Sequence, residues 1–421
     1  MDKRDFLRGL GATTLTTSLA ALLGPALLAR HATLSPSALS RDEEFWSAIR
    51  ARYRLPTDWI NLENGYYSIM AQPVLESLVS HAAAINQQGS RYMRTRMEED
   101  FRTTRAAIAR VARCPVEELA LTRNTTESLD LVIAGHDWRA GDEVVFSEQD
   151  YGTMQAMFEQ QAARHGIVCK RVSIPLHPQS DAQIVGLYAS AFTERTRLVM
   201  VPHMINLTGQ ILPVQAIAAM ARARNVAVMV DGAHAFAHID FAIPELGCDY
   251  YAASLHKWLG CPLGAGLLWV RRDRIAGLWP LLAPPPGRMS DDITRLNHLG
   301  THPVHTTLAI REAIAFHEEL GIARKEARLR HLQHYWTSRV RQHSRIRVNT
   351  PLDPGRHCGI GNVGVEGLTP KQLETRLLEE FGIYTVGTDT AGVHGVRVTP
   401  HVYTSEAELE RLVKALETLA G

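Results

Sequence analysis

Four groups of residues sit where they could do chemistry: a lysine, an aspartate, a pair of threonines and an arginine. Lys257 lies in Tyr251-Ala-Ala-Ser254-Leu-His256-Lys257-Trp-Leu-Gly260, just beyond a predicted strand and before a glycine turn. A lysine at the carboxyl end of a strand can reach the crevice where α/β sheets bind ligands, although a lone lysine there is usually a solvated charge. Asp231 stands 26 residues upstream, directly after the apolar run Val-Met-Val. Burying that carboxylate is costly unless a cation compensates it, and a protonated ring nitrogen would do so; the same aspartate could also simply cap a helix. Thr125-Thr126 opens the apolar helix that continues through Leu129 to Ala134. A helix start offers free N–H groups and partial positive charge to an anion, with ordinary capping as the plainer alternative. Arg397, in Val396-Arg397-Val398, has the planar fork that binds a carboxylate in two bonds, or could serve a surface salt bridge. An imine-forming lysine, an anion for a ring nitrogen, a phosphate cradle and a carboxylate clamp are together what pyridoxal-5′-phosphate (PLP) chemistry requires.

From about Asn61 to the C-terminus these segments resemble the class V aminotransferase family, which includes cysteine desulfurases and isopenicillin N epimerase. The family pairs a strand-end Asp, followed three residues later by Gln or His, with a Ser-x-His-Lys about 25 residues on; Asp231, His234, Ser254, His256 and Lys257 match this pattern. The resemblance implies PLP as cofactor and an α/β fold of the PLP-dependent transferase type I class. That fold has a mainly parallel central sheet in a large domain and a smaller C-terminal α/β domain. It also implies roles. Lys257 holds the cofactor and acts as general base, Asp231 pairs with the pyridine nitrogen, and His234 approaches the ring hydroxyl. Thr125, Thr126, Ser254 and His256 hold the phosphate. Tyr151 falls where the family stacks an aromatic residue or histidine on the ring, and Asn206 near the ring hydroxyl or substrate; loop packing and a turn asparagine are their ordinary readings. Arg397 takes the substrate carboxylate, and Asn64 and Tyr66 belong to a segment that lines the substrate side. Gly300-Thr301 resembles a family Gly-Thr in which Thr301 reaches the phosphate of the partner subunit, so a homodimer with a shared active site is implied.

Such a site gives access to transamination, epimerisation or elimination from an amino-acid or peptide-like substrate. Cysteine desulfurases carry a nucleophilic cysteine shortly before the clamp arginine, but Gly387-Thr-Asp-Thr-Ala-Gly-Val-His-Gly395 has none. Cys358 lies too far upstream and reads as structural. Trp59 to Ser68 resembles the opening of isopenicillin-N-epimerase-like members, which favours an aminotransferase or epimerase. An exported member acting on a glutamyl group of a siderophore precursor, or a lyase, is the alternative. Arg91, Arg94 and Arg96 are either a solvated helix face or a partner for a second substrate carboxylate. A PLP-fold binding protein without catalysis predicts decay of the lysine, the ring aspartate or the arginine, and all three are present. A nucleotide-binding protein would need GxGxxG or GxxxxGK[ST], and neither occurs.

The elements that must position these residues follow from the hydrophobic pattern. Short apolar runs alternate with amphipathic stretches, as in an α/β protein with a mainly parallel sheet. Glu143–Ser147, Leu198–Pro202, Val226–Asp231 and Leu267–Val270 read as buried strands, and Val214 to Arg224 as a crossover helix. Ala283 to Gly287, with three prolines, is a loop. A helical run from Leu308 to His343, strands at 360–365, 383–386 and 396–398, and helices at 368–381 and 405–419 form a C-terminal unit. The expected division is an export signal at 1–32, an N-terminal segment at 33–60, a large cofactor domain at 61–305 and a small domain at 306–421.

With 421 residues, 45% of them hydrophobic, the chain can bury a large core. The formal net charge of +1 excludes a global field for nucleic acid. The first thirty residues are a basic segment, Lys3-Arg4 before Phe6-Leu7, followed by a mild apolar stretch to Ala29. This is the form of an export signal. It resembles the twin-arginine type with Lys for the first Arg, a route that carries folded, cofactor-loaded proteins. A periplasmic or otherwise exported protein is expected, touching the membrane only through that signal if it stays uncleaved; the alternative is an N-terminal helix of a cytoplasmic protein. Five scattered cysteines form no disulfide framework, and no histidine spacing fits a metal site.

Overall fold

A computed structural model describes residues 33–421; the expected export signal at 1–32 lies outside the described residues. After the short strand Ile60–Asn61 (β1) come seven strands, Leu119–Thr122 (β2), Glu143–Ser147 (β3), Val168–Val172 (β4), Thr196–Pro202 (β5), Ala227–Asp231 (β6), Tyr250–Ser254 (β7) and Gly266–Val270 (β8). They form one sheet of order β2-β8-β7-β6-β5-β3-β4. Only β8 runs against its neighbours.

Every residue of β3, β6, β7 and β8 is buried. That is why these strands read as continuous apolar runs rather than alternating ones. Successive side chains point to opposite faces of a strand, and the two faces join separate clusters. Val228 and Val230 pack with Ile217, Leu246 and Trp258 on one side. Ala227 and Met229 pack with Leu131, Phe158 and Leu268 on the other.

A second sheet of order β12-β13-β10-β9 is antiparallel throughout and lies in the C-terminal part. Its strands are Ile346–Val348 (β9), Gly361–Val365 (β10), Val386–Thr390 (β12) and Val393–Val398 (β13), and Ile383–Tyr384 (β11) instead pairs in parallel with β1. Leu373, Leu377, Leu409 and Leu412 from two helices cover it. The last of these helices, Glu406–Ala420, starts with a capping box of Ser405 and Glu408, which satisfies two otherwise unpaired N–H groups at once. The N-terminal segment is stitched to the same region. Arg50 forks onto Glu408 at 2.7 and 2.8 Å, and the fully buried Arg328 donates to the carbonyls of Ser40 and Thr404.

Two sequence expectations are corrected, and one strand is added that the pattern did not show. The single helical run at 308–343 is two helices, Val304–Leu320 and Ile322–Val340, broken at Gly321. Its backbone there has φ of 81°, a conformation open to glycine and costly for other residues. The strand expected at 383–386 divides, β11 serving β1 and β12 serving β13. The edge strand β4 escapes a pattern reading because its sequence, Val-Cys-Lys-Arg-Val, carries the charges that edge strands use against aggregation. Among the described residues no helix is long and apolar enough to cross a membrane.

Candidate active site

Because β3, β5, β6 and β7 are parallel, their carboxyl ends lie along one sheet edge. Asp231 ends β6 and Ser254 ends β7, three residues before Lys257. The antiparallel β8 brings its first residue, Gly266, beside Ser254. A Cβ on Gly266 would stand 2.6 Å from the backbone nitrogen of Asn124. Glycine at 266 thus lets the start of the helix Thr125–Gly135 approach the edge. The result is a cleft of about 620 Å³, within the range of about 300–1,000 Å³ typical of ligand sites.

On the cleft floor, Lys257 Nζ lies 3.1 Å from His234 Nε2. Burial pushes the Lys257 amine down to about 8, with Asp231 opposing that shift and Arg397 adding to it. Burial also holds the His234 imidazole well below its usual range, so the ring is neutral. Trp258 Nε1–H donates to His234 Nδ1 at 3.3 Å. An indole nitrogen can only donate, so the proton of His234 sits on Nε2 and faces Lys257. Asp231 is buried, and its Oδ1 accepts the N–H of Ala233 at 2.9 Å. Burial raises its carboxyl, although that N–H and the Lys257 charge oppose the shift.

At the helix start, Asn124 Oδ1 accepts the N–H of Glu127 and Ser254 Oγ accepts that of Thr125. The Thr125 and Ser254 hydroxyls are 2.8 Å apart. Of the first-turn N–H groups that no helix can satisfy internally, that of Thr126 is left over, and Thr126 lines the cleft. His256 lines it too, its imidazole driven down to about 4 by burial and the Lys257 charge while a hydrogen bond to the Ala265 backbone opposes that shift. These donors fit a phosphate, and the buried, cation-poor Asp231 fits a protonated ring nitrogen. When bound there, PLP supplies an aldehyde that takes up amino groups and a ring that withdraws electrons from a bond at the substrate α-carbon. Lys257, His234, Asp231, Ser254, His256, Thr125 and Thr126 would hold it, and Tyr151, 44% exposed at the cleft wall, is free to stack on it.

Arg397 and Asn206 join the wall, Arg397 Nη1 donating to the Asn206 carbonyl at 3.2 Å. Tyr66 stands at the mouth, 75% exposed. Asn64 does not line the cleft. It is fully buried behind it, donating to the Thr399 carbonyl and accepting from the Tyr403 hydroxyl. Thr301 is exposed and outside the cleft of its own chain, as are Arg91, Arg94 and Arg96. The sequence reading missed Glu63. It is buried and takes Arg397 in two bonds, Nη2 to Oε1 at 2.5 Å and Nε to Oε2 at 3.1 Å. The signal was an acid directly after the apolar Leu62, beside a short strand.

Comparison with known proteins agrees with this geometry. The chain is 28% identical over 392 residues to isopenicillin N epimerase of Streptomyces clavuligerus, covering 89% of this chain and 98% of that protein. It is 27% identical over 346 residues to a probable cysteine desulfurase of Xylella fastidiosa, covering 76% and 80%. Among solved structures it is similar to a mutant of C-DES with glycine covalently linked to the PLP cofactor. The TM-score is 0.80 at 23% identity, covering 87% of this chain and 98% of that one. Residues 67–412 match the aminotransferase class-V family, and with that match spanning most of its length the chain belongs to this family of PLP-dependent enzymes.

Proposed function

We propose that this enzyme abstracts and returns a proton at the α-carbon of an amino-acid unit, as an epimerase of the isopenicillin N epimerase kind. The carrying observation is that, among the described residues, no cysteine lines the cleft. Val386 to Thr390, the strand β12 that pairs with the strand carrying Arg397, contributes five residues to the wall without a thiol. Cys261 and Cys358 are fully buried. A persulfide route therefore lacks its nucleophile, whereas proton transfer needs only what is present. The Lys257 amine, in its unprotonated form, is the base that takes the α-proton, and His234 Nε2–H faces it as the hydrogen-bond donor that orients its lone pair. Arg397 orients the substrate by its carboxylate.

Incubation with candidate amino acids and aminoacyl peptides in heavy water tests this. Racemised, α-deuterated substrate is expected. A keto acid would make the enzyme an aminotransferase, and loss of a side-chain fragment a lyase.

The reading extends to place and assembly. The Lys3-Arg4 segment supports export in folded form, which suits a role on a glutamyl group of a siderophore or similar peptide precursor. The position of Thr301 outside its own cleft suits a dimer that shares sites. Expression of the full chain, cell fractionation and sedimentation should recover a dimer outside the cytoplasm. Cytoplasmic retention sinks the export reading, and a monomer sinks the shared site.

A further inference from the structure

We propose that Glu63 is a resident competitor for Arg397, so that the clamp holds a small free carboxylate weakly and selects substrates that bind through the rest of the cleft. The inference rests on the clamp role of Arg397 under the proposed function.

Arginine has five N–H donors. In this protein two go to Glu63 and one to the Asn206 carbonyl. One remains on each terminal nitrogen, enough for a carboxylate to dock. The charge is another matter. Arg397 and Glu63 are 9% and 7% exposed, and in such surroundings an ion pair is screened little by solvent. An incoming carboxylate meets a neutral pair, with the Glu63 charge close behind the guanidinium.

Glu63 is built in. Its Oε1 also accepts the N–H of Tyr66 at 2.9 Å, its own N–H donates to Asn61 Oδ1, and its backbone bridges to Thr399 beside Arg397. A Cβ on Gly65 would come within 3.1 Å of Arg397 Cζ, so glycine at 65 lets the main chain lie against the guanidinium without displacing it. Two hydrogen bonds without net charge attraction hold a small ligand poorly. A larger, peptide-like substrate gains the rest of its affinity from the cleft mouth, where the exposed Tyr66 and Leu263 stand.

The test uses the cofactor-loaded enzyme with propionate as probe and chloride at equal ionic strength as control, read by titrating the cofactor absorbance and by thermal melting. Glu63→Gln keeps an acceptor for Arg397 and removes the charge. It is expected to tighten propionate about tenfold. It should also melt lower than wild type without propionate and gain more from it, because removing one partner of a buried pair leaves the other charge uncompensated. Equal or weaker propionate binding in this variant overturns the inference. Glu63→Asp, which keeps the charge on a shorter arm, should fall between the two, and wild-type affinity in it also counts against the inference. Arg397→Gln separates the layers. If it leaves wild-type propionate binding unchanged, the clamp itself fails; if it abolishes binding while Glu63→Gln does not tighten it, only the role of Glu63 fails.

Discussion

Lys257→Ala is expected to yield a folded protein that no longer attaches its cofactor covalently and has lost turnover by about 10⁴-fold or more. Among the described residues, Lys257 is the only lysine lining the cleft and His234 the one hydrogen-bond partner of its amine. Removing it therefore takes little from the fold and all of the base. Lys257→Arg should fail equally, because a guanidinium stays protonated. The wild type offers a pH signature of the same group. Only the unprotonated amine attacks an aldehyde. With the amine pushed down to about 8 by burial, cofactor uptake by the stripped protein should rise through a midpoint near that pH. An ordinary lysine would place it near about 10.4. A midpoint near the ordinary value, or imine absorbance persisting in Lys257→Ala without added amine, would remove Lys257 from its role.

How much of this was legible in the sequence depended on how local the signal was. The strands at 143–147, 227–231 and 266–270 announced themselves because burial on both faces leaves an uninterrupted apolar run. Asp231 was legible for the same reason, as an acid abutting such a run. The pairing of Glu63 with Arg397 joins residues 334 positions apart, and nothing near either one in sequence points to the other. Asn64 shows the converse limit. A segment resemblance placed it on the substrate side, but side chains next to each other in an irregular segment point in different directions. Tyr66 faces the cleft while Asn64 turns inward to Thr399 and Tyr403. The tautomer of His234 was equally out of reach, since it depends on Trp258 being within hydrogen-bond distance across the fold.

Asp231→Asn separates the two readings that the sequence left open for this residue. Asn is as good a helix or turn cap as Asp, and its Oδ1 can keep the bond from Ala233 N–H that the carboxylate now accepts at 2.9 Å. If Asp231 only caps the turn after β6, the substitution is nearly silent. If its charge matters, the consequences are large. Asp231 lines the cleft within electrostatic reach of Lys257, and its charge raises that amine against the downward push of burial. Asparagine should therefore shift the midpoint of cofactor uptake below that of the wild type. It should also withdraw the anion that would hold a proton on the ring nitrogen. Since losing one preorganised electrostatic partner typically costs about 10²–10³ in turnover, that fall is expected here, with the cofactor still covalently bound. Wild-type turnover in Asp231→Asn, with the uptake midpoint unmoved, would reduce Asp231 to a cap. The expected split, attachment kept and turnover lost, is opposite in form to that of Lys257→Ala, so the pair of variants distinguishes the residue that holds the cofactor from the residue that makes it reactive.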